Sequence, residues 1–433
     1  MNRNKEFFEL LTDLEKNAPD LSPSVRKAKE RRSRAVFFYR PLAGLAACFA
    51  LFVLLVNFSV PVAKACANVP IVRQLAEAVT FSRSLSDAVE NDFVQQVDMV
   101  QEDGGVTAKI EYFIVDEKQV NIFYRLESEE YKAIYTMPKA LHKDGGKEEP
   151  CTLRTPINDV PNEELRLITL DYYDAEVPDS VLLEILTYQG QKDHQGEEDL
   201  IAKFTFLLEF DSKNLAQAIV YPVNETVVLD GQRITISDIE VYPTHLRVNT
   251  VGAAENTAWL KGLDFFIETE KGRFETSAGG IIATGTKEGH YSFRADSFYF
   301  YEAKEIKLII TGARWLSKDM EQVDIDLKTG KTTDLPEGVA FVPMGAENAT
   351  SPVMFHVRWD WDESQHMMLS MVYEDAKGEL CEAAVGARNC REHEGNCWHE
   401  WLELKDYPYD NIRVRLTYTH GWKAAEPITI TVH

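Results

Sequence analysis

The chain lacks catalytic signatures. It has no Gly-x-Ser-x-Gly elbow and no His-Glu-x-x-His pair, and neither Gly279-Gly280 nor Gly285 to Gly289 leads into the Gly-Lys-Ser/Thr of a phosphate loop. No enzyme, catalytic residue or cofactor is expected on that ground. Cysteine is scarce, six in 433 residues. That excludes a disulfide-stapled scaffold, so the domains must fold on their own apolar cores. Basic charge is also short, with 46 Lys/Arg against 70 Asp/Glu and a net charge of −24. Nucleic acid selects basic surfaces and is not an expected partner. No Pro/Gly/Ser-rich linker divides the second half of the chain, which suggests a fairly stiff series of domains.

Long apolar runs are missing too, with one exception. Pro41 to Ala63 carries no charge and is bounded by Arg40 and Lys64. As a helix rising about 1.5 Å per residue it reaches roughly 34 Å, enough to cross a hydrocarbon core of about 30 Å. The head, residues 1–40, holds ten Lys/Arg and six Asp/Glu, seven of the bases between Arg26 and Arg40. Subtracting the head from the whole leaves 36 bases and 64 acids, a net of −28 beyond the run. Basic residues beside a span stay in the cytoplasm, so the head is expected inside and the tail outside the cell membrane. Two processing alternatives remain. Ala63-Lys64-Ala65 has the letters of a cleavage site, although the run exceeds an ordinary signal-peptide core. Leu45-Ala46-Ala47-Cys48 has the letters of a lipobox, but its apolar region follows the cysteine instead of preceding it.

The expected fold is mainly β: one transmembrane helix, then tandem β-rich sandwich domains, with a short helical segment after the span. In the head, Phe7, Phe8, Leu11 and Leu14 form an apolar stripe at helical spacing. About four turns are marginal alone in water, so this face needs a cover. That cover is either a partner groove or the inner leaflet. Residues 64–93 keep helical spacing, with Ile71, Leu75, Val79, Leu85, Val89 and Phe93. From Val94 the period changes to two. Val106 to Ile114 and Val120 to Leu126 flank a turn at Asp116-Glu117-Lys118, and Asp230-Gly231 marks another hairpin. The boundaries read from these patterns are a β-rich domain over 94–215, a sandwich over 216–337 and a last sandwich over 338–433.

In that last unit Cys381, Cys390, His393, Cys397 and His399 are close in sequence. No Cys-x2-Cys knuckle is present and the expected compartment is oxidising. A Cys390–Cys397 disulfide is therefore expected before a zinc site, which stays as the alternative. Asp324-Ile325-Asp326 and Asp360 to Glu363 lack EF-hand spacing, so no metal is expected there. Trp359, Trp361, Trp398 and Trp401 either fill a sandwich core or line a sugar or peptide surface.

The short head, the single span, Asn68-Val69-Pro70-Ile71-Val72 and the hairpin VTAKIEYFIVDEKQVNIFYRLES resemble a Gram-positive membrane-protein family defined only as a domain of unknown function. Members are often encoded beside extracytoplasmic-function sigma factors, and some are termed anti-sigma factors. The resemblance covers roughly 1–126, and 220–311 resembles the immunoglobulin-like domain that often follows. It implies a sigma factor as partner of the Phe7 to Leu14 face. The head departs from zinc-type anti-sigma factors, since it contains no Cys and no His. The competing expectation is a membrane-anchored envelope module whose head is only an anchor.

Overall fold

The computed structural model describes residues 75–155, 164–189, 200–211, 215–276, 283–287, 289–343, 353–359, 368–389, 396–404 and 407–433. The Pro41 to Ala63 run, the Phe7, Phe8, Leu11 and Leu14 stripe and Cys390 lie outside these residues. Among the described residues no helix is long and apolar enough to cross a membrane. Residues from Gln74 to His433 form one compact unit.

That unit is built almost entirely from β-strands. Its first sandwich contains β1 (Gln95–Asp103), β2 (Val106–Val115), β3 (Gln119–Glu127), β4 (Ile134–Leu141), β5 (Thr152–Arg154), β6 (Arg166–Asp171), β7 (Ser180–Gln189) and β8 (Leu200–Glu209). A five-stranded sheet ordered β1-β2-β3-β6-β5 faces a three-stranded sheet ordered β4-β7-β8. Alternation decides what enters the core between them: Val181, Leu183 and Ile185 of β7 are buried there with Ile110, Ile122 and Phe204.

The other face of the larger sheet is also covered. Residues 75–78 are helical, and α1 (Arg83–Glu90) follows after a turn. Ser82 caps α1, its hydroxyl accepting from the amide of Leu85 at 3.3 Å. Leu75, Val79, Leu85 and Ala88 pack on Tyr112, Ile114, Phe123 and Leu167. The ends of β2 and β3 are thus buried on both faces. This is why Phe113-Ile114-Val115 and Ile122-Phe123-Tyr124 read as unbroken apolar runs.

The second sandwich has β9 (Ile219–Leu229), β10 (Gln232–Val241), β11 (Leu246–Gly252), β12 (Ala258–Thr269), β13 (Gly272–Phe274), β14 (Ala283–Lys287), β15 (His290–Ala295) and β16 (Ile306–Ser317). Asp230 and Gly231 join β9 to β10 with φ of 49° and 75°. Two positive φ values suit a two-residue turn whose twist matches the flanking strands. The third sandwich has β17 (Gln322–Asp326), β18 (Lys331–Thr332), β19 (Val339–Pro343), β20 (Val353–Trp359), β21 (Leu369–Glu374), β22 (Leu380–Glu382), β23 (Val385–Asn389), β24 (Asn396–Leu402) and β25 (Asn411–Leu416). Its sheets are ordered β18-β17-β25-β21-β22 and β19-β20-β24-β23.

The final strand, β26 (His420–Thr431), does not belong to the third sandwich. It pairs antiparallel with β16, from Lys307 opposite Thr431 to Trp315 opposite His420, and Ile430 is buried in the second core. The second sandwich therefore sets sheet β14-β15-β11-β10-β9 against sheet β13-β12-β16-β26. The boundary read at 337/338 from the sequence falls between β18 and β19. β17 and β18 join the third sandwich, and the last strand returns to the second. Alternation tells which face of a strand is buried but not which edge it completes. Without β26, the backbone edge of β16 would stand open. The third sandwich is thus an insertion, left by β16 and re-entered by β26.

Candidate functional site: a buried charge network between two sandwiches

The densest chemistry in the described residues lies where the first sandwich meets the second. Asp116 sits in the β2–β3 turn and Asp171 ends β6, so both carboxyls occupy the same end of one sheet. Thr244 and His245 form the β10–β11 turn. Arg247 on β11 and Arg294 on β15 are direct cross-strand neighbours. Core residues Val248 and Phe293 alternate with them, so both guanidiniums point out of the second sandwich. All are buried, Asp116 and Asp171 completely, at 0 % exposure.

Asp171 Oδ1 accepts from Arg294 Nη2 at 2.7 Å and Arg247 Nη2 at 3.1 Å, and Arg294 Nε reaches Oδ2 at 3.3 Å. Asp116 Oδ1 accepts from the amides of Lys118 and Gln119 at 3.0 and 2.9 Å, an Asx turn inside the first sandwich. Its Oδ2 accepts from the Thr244 hydroxyl at 2.5 Å and the Thr244 amide at 3.1 Å, across the interface.

The tautomer of His245 follows from its neighbours. Arg247 Nε, which can only donate, lies 2.9 Å from His245 Nε2, so that nitrogen accepts. The ring proton is then on Nδ1, donated to Thr244 Oγ at 2.8 Å, and Thr244 in turn donates to Asp116. A neutral imidazole thus links the two carboxylates, and two guanidiniums balance two carboxylates. Burial pushes the Asp171 carboxyl up, but the Arg294 and Arg247 guanidiniums more than reverse this and hold it well below the usual range. Burial pushes Asp116 up to about 6 against the hydrogen bonds of Thr244 and Lys118. Burial, then Arg247, keeps His245 well below its ordinary value.

A second contact ties the helical segment to the same sandwich. Asp296, just after β15, accepts from the hydroxyls of Ser82 and Ser84 at 3.2 and 2.9 Å and from the Ser84 amide at 3.1 Å. Tyr301 donates to Asp87 at 2.7 Å, and the Arg83 guanidinium lies 3.9 Å above the Phe274 ring. α1 therefore touches the first sandwich with its apolar face and the second with its N-terminal turn. None of these groups is presented to solvent as a nucleophile or base would be. The arrangement is a joint.

Of the residues singled out in sequence, Cys397 is buried and disulfide-bonded, and its partner lies outside the described residues. Cys151 and Cys381 are free thiols. A disulfide at Cys397 removes one thiolate from the alternative zinc set. Among the described residues no group of three or more His, Cys, Asp or Glu is arranged to hold a metal. Asp324 pairs with Arg413 at 2.5 Å and Asp326 Oδ1 accepts from the Lys328 and Thr329 amides. Trp398 lies in the third core, whereas Trp401, three residues on, lies outside it. The joint itself carried no signal in the sequence. Asp116 read as a turn residue, and nothing in the local pattern singled out Arg247 or Arg294.

The fold and its joint define a class, a multi-sandwich β protein whose domains are fixed to one another. Residues 35–128 match a family described as "Domain of unknown function (DUF4179)", and residues 218–337 match one described as "Family of unknown function (DUF5643)". The joint runs from Asp116 in the first matched region to His245, Arg247 and Arg294 in the second. No curated protein matches the chain. Among solved structures, one titled "The crystal structure of the conserved domain protein from Bacillus anthracis" is 12% identical, with a TM-score of 0.35. That match covers 61% of this chain and 85% of the other. A marsupial T cell receptor is 9% identical over 78% of this chain and 99% of its own, with a TM-score of 0.15.

Proposed function

We propose that the protein is a single-span membrane regulator. Its β-rich region, with an immunoglobulin-like middle domain, lies outside the cell. The Pro41 to Ala63 run crosses the membrane, and the cytoplasmic face of Phe7, Phe8, Leu11 and Leu14 holds an extracytoplasmic-function sigma factor. One observation supports this above others: the segment that follows the run is docked on two sandwiches at once. Its apolar face packs on Tyr112 and Phe123, and its N-terminal turn is hydrogen-bonded to Asp296. The sandwiches are themselves joined by buried charges, and the third is tied to the second through two strands. A displacement at a distant sandwich is then delivered to residue 75 instead of being absorbed in a flexible linker. A plain anchor needs no such docking.

Phe8→Asp with Leu11→Asp places two charges on the stripe. Transcription from the partner's promoter should rise ~5-fold or more, the lower end of an ordinary coupling free energy, with membrane insertion unchanged. If transcription is unaltered and a head peptide recovers no sigma factor, the reading fails and an anchored envelope module takes its place. Topology is tested separately. Reporters fused after Arg40 and after His433 should be active inside and outside respectively, and the reverse pattern would contradict the proposal.

A further inference from the structure

The joint contains one carboxylate that no cation answers. Both guanidiniums are turned to Asp171, which also accepts from Gln119 Nε2 at 3.3 Å. Asp116, equally buried, accepts only from neutral donors: three backbone amides and the Thr244 hydroxyl. Lys118, two residues on, directs its ammonium to the Ala175 carbonyl at 2.9 Å. A buried charge without a counter-charge is one that an added proton relieves. Burial accordingly pushes this carboxyl up to about 6. A proton on its Oδ2 has an acceptor waiting, the Thr244 oxygen 2.5 Å away.

His245 has no such seat. Its Nδ1 already carries the proton donated to Thr244, and its Nε2 faces the Nε–H of Arg247 at 2.9 Å. A proton on Nε2 would set donor against donor. The nearest carboxylate oxygens are 3.9 Å away, Asp116 Oδ2 from Nδ1 and Asp171 Oδ2 from Nε2, and Asp171 is already engaged by Arg247 and Arg294. The Tyr242 ring stacks on the imidazole at 5.0 Å, with its hydroxyl turned to Glu240. These are the charged and titratable groups that the β2–β3 turn, β6, β10, β11 and β15 bring to the ring. In the closed joint an added proton therefore goes to Asp116. Once the sandwiches part and water enters, the order reverses. A solvated imidazole takes a proton near pH 6.5, a solvated aspartate only near 3.9.

We infer that Asp116 and His245 form a compensating pair that keeps the joint closed in mild acid: the proton held on Asp116 in the closed joint is carried by His245 in the open one. Acid acting on His245 alone favours opening, because only the open form binds that proton. Acid acting on Asp116 alone favours closure. Between about pH 6 and pH 4 each form holds one added proton, so opening takes up none and the two effects cancel. The inference goes beyond the regulatory reading and stands whether or not the head has a partner.

The experiment is hydrogen exchange of the Thr244 amide, which donates across the joint to Asp116 Oδ2 at 3.1 Å. It is followed in the full chain in detergent from pH 7 to 4.5 and corrected for intrinsic exchange rates. In the native chain the opening constant should change by less than ~3-fold between pH 6 and pH 4.5. In Asp116→Asn it should rise by up to ~10-fold per pH unit below about 6.5, and in His245→Gln it should fall by up to ~10-fold per unit below about 6. The double variant should be flat again. Asp116→Asn loosens the joint at every pH, since its amide meets the Thr244 N–H donor to donor, so the slope and not the level is read. Asp116→Ser, which keeps an acceptor for the turn amides, replaces it if it melts early. A native chain that opens ~10-fold per pH unit overturns the inference. So does an Asp116 variant no steeper than the native chain.

Discussion

Asp171→Ala should destabilise the folded chain by about 3–5 kcal/mol, the cost of removing one partner from a buried ion pair. The effect is large because the substitution leaves two cations without their anion. Arg294 Nη2 and Arg247 Nη2 both bind the same carboxylate oxygen, at 2.7 and 3.1 Å. Both guanidiniums are almost fully buried, at 3 % and 2 % exposure. Neither can turn to water without opening the interface. Denaturant unfolding of the full chain in detergent measures it. The variant's midpoint should fall, and the first sandwich should unfold separately from the second once the joint is lost. Adding Arg294→Met to Asp171→Ala should recover part of the loss, since the second change removes a stranded charge. A loss below about 1 kcal/mol would show that water reaches these groups and that the joint is not dry.

The second large effect is a pH dependence carried by His245. Its folded pKa is held well below the ordinary value by burial and by Arg247. Folded, the imidazole stays neutral; unfolded, it takes a proton near pH 6.5, its usual value of about 6.5. Below that pH the unfolded chain binds the extra proton, so this contribution to stability is complete above about pH 6.5 and is lost as pH falls. The slope is about 1.4 kcal/mol per pH unit. His245→Gln removes the titration but keeps an acceptor for Arg247 and a donor for Thr244. The difference in stability between the native chain and this variant should be constant above about pH 7 and should shrink as pH falls below about 6.5, at up to about 1.4 kcal/mol per pH unit.

Asp116 acts in the opposite sense. With its carboxyl pushed up to about 6, the folded chain binds its proton first and gains stability as pH falls through that value toward the unfolded pKa of about 3.9. That contribution is present in both proteins and cancels in the difference. A difference that stays constant down to pH 4.5 would mean the imidazole is protonated in place, and the tautomer derived from Arg247 Nε would be wrong.

Much of the strand content was legible before any coordinates. The alternation in Val106 to Ile114 and Val120 to Leu126 became β2 and β3, and the Asp230-Gly231 turn took the two positive φ values that such a pair favours. Leu75, Val79, Leu85 and Val89, read as a helical face, pack on the first sandwich. The joint was not legible. Asp171 is separated from Arg247 by 76 residues and from Arg294 by 123. At outward strand positions an arginine reads as solvent-facing, and only a second sandwich lying over it makes it buried. Trp398 and Trp401 show the same limit. Both belong to one aromatic-rich strand, yet one enters the core and the other lies over Gly386 on the outer face.

The amino-acid order determined the local terms of this structure: the turns, the cap at Ser82, and which face of each strand is apolar. These depend on φ, on hydrogen bonds within a few residues and on a side-chain period of two, all set by the nearby backbone. The tertiary structure decided which strands are neighbours, so that β26 crosses back to β16 and the third sandwich becomes an insertion. It also decided which charges lose their water. Pairing and desolvation are set by distant parts of the chain packing together, and the price of burying Asp171 is met by arginines that no local pattern connects to it.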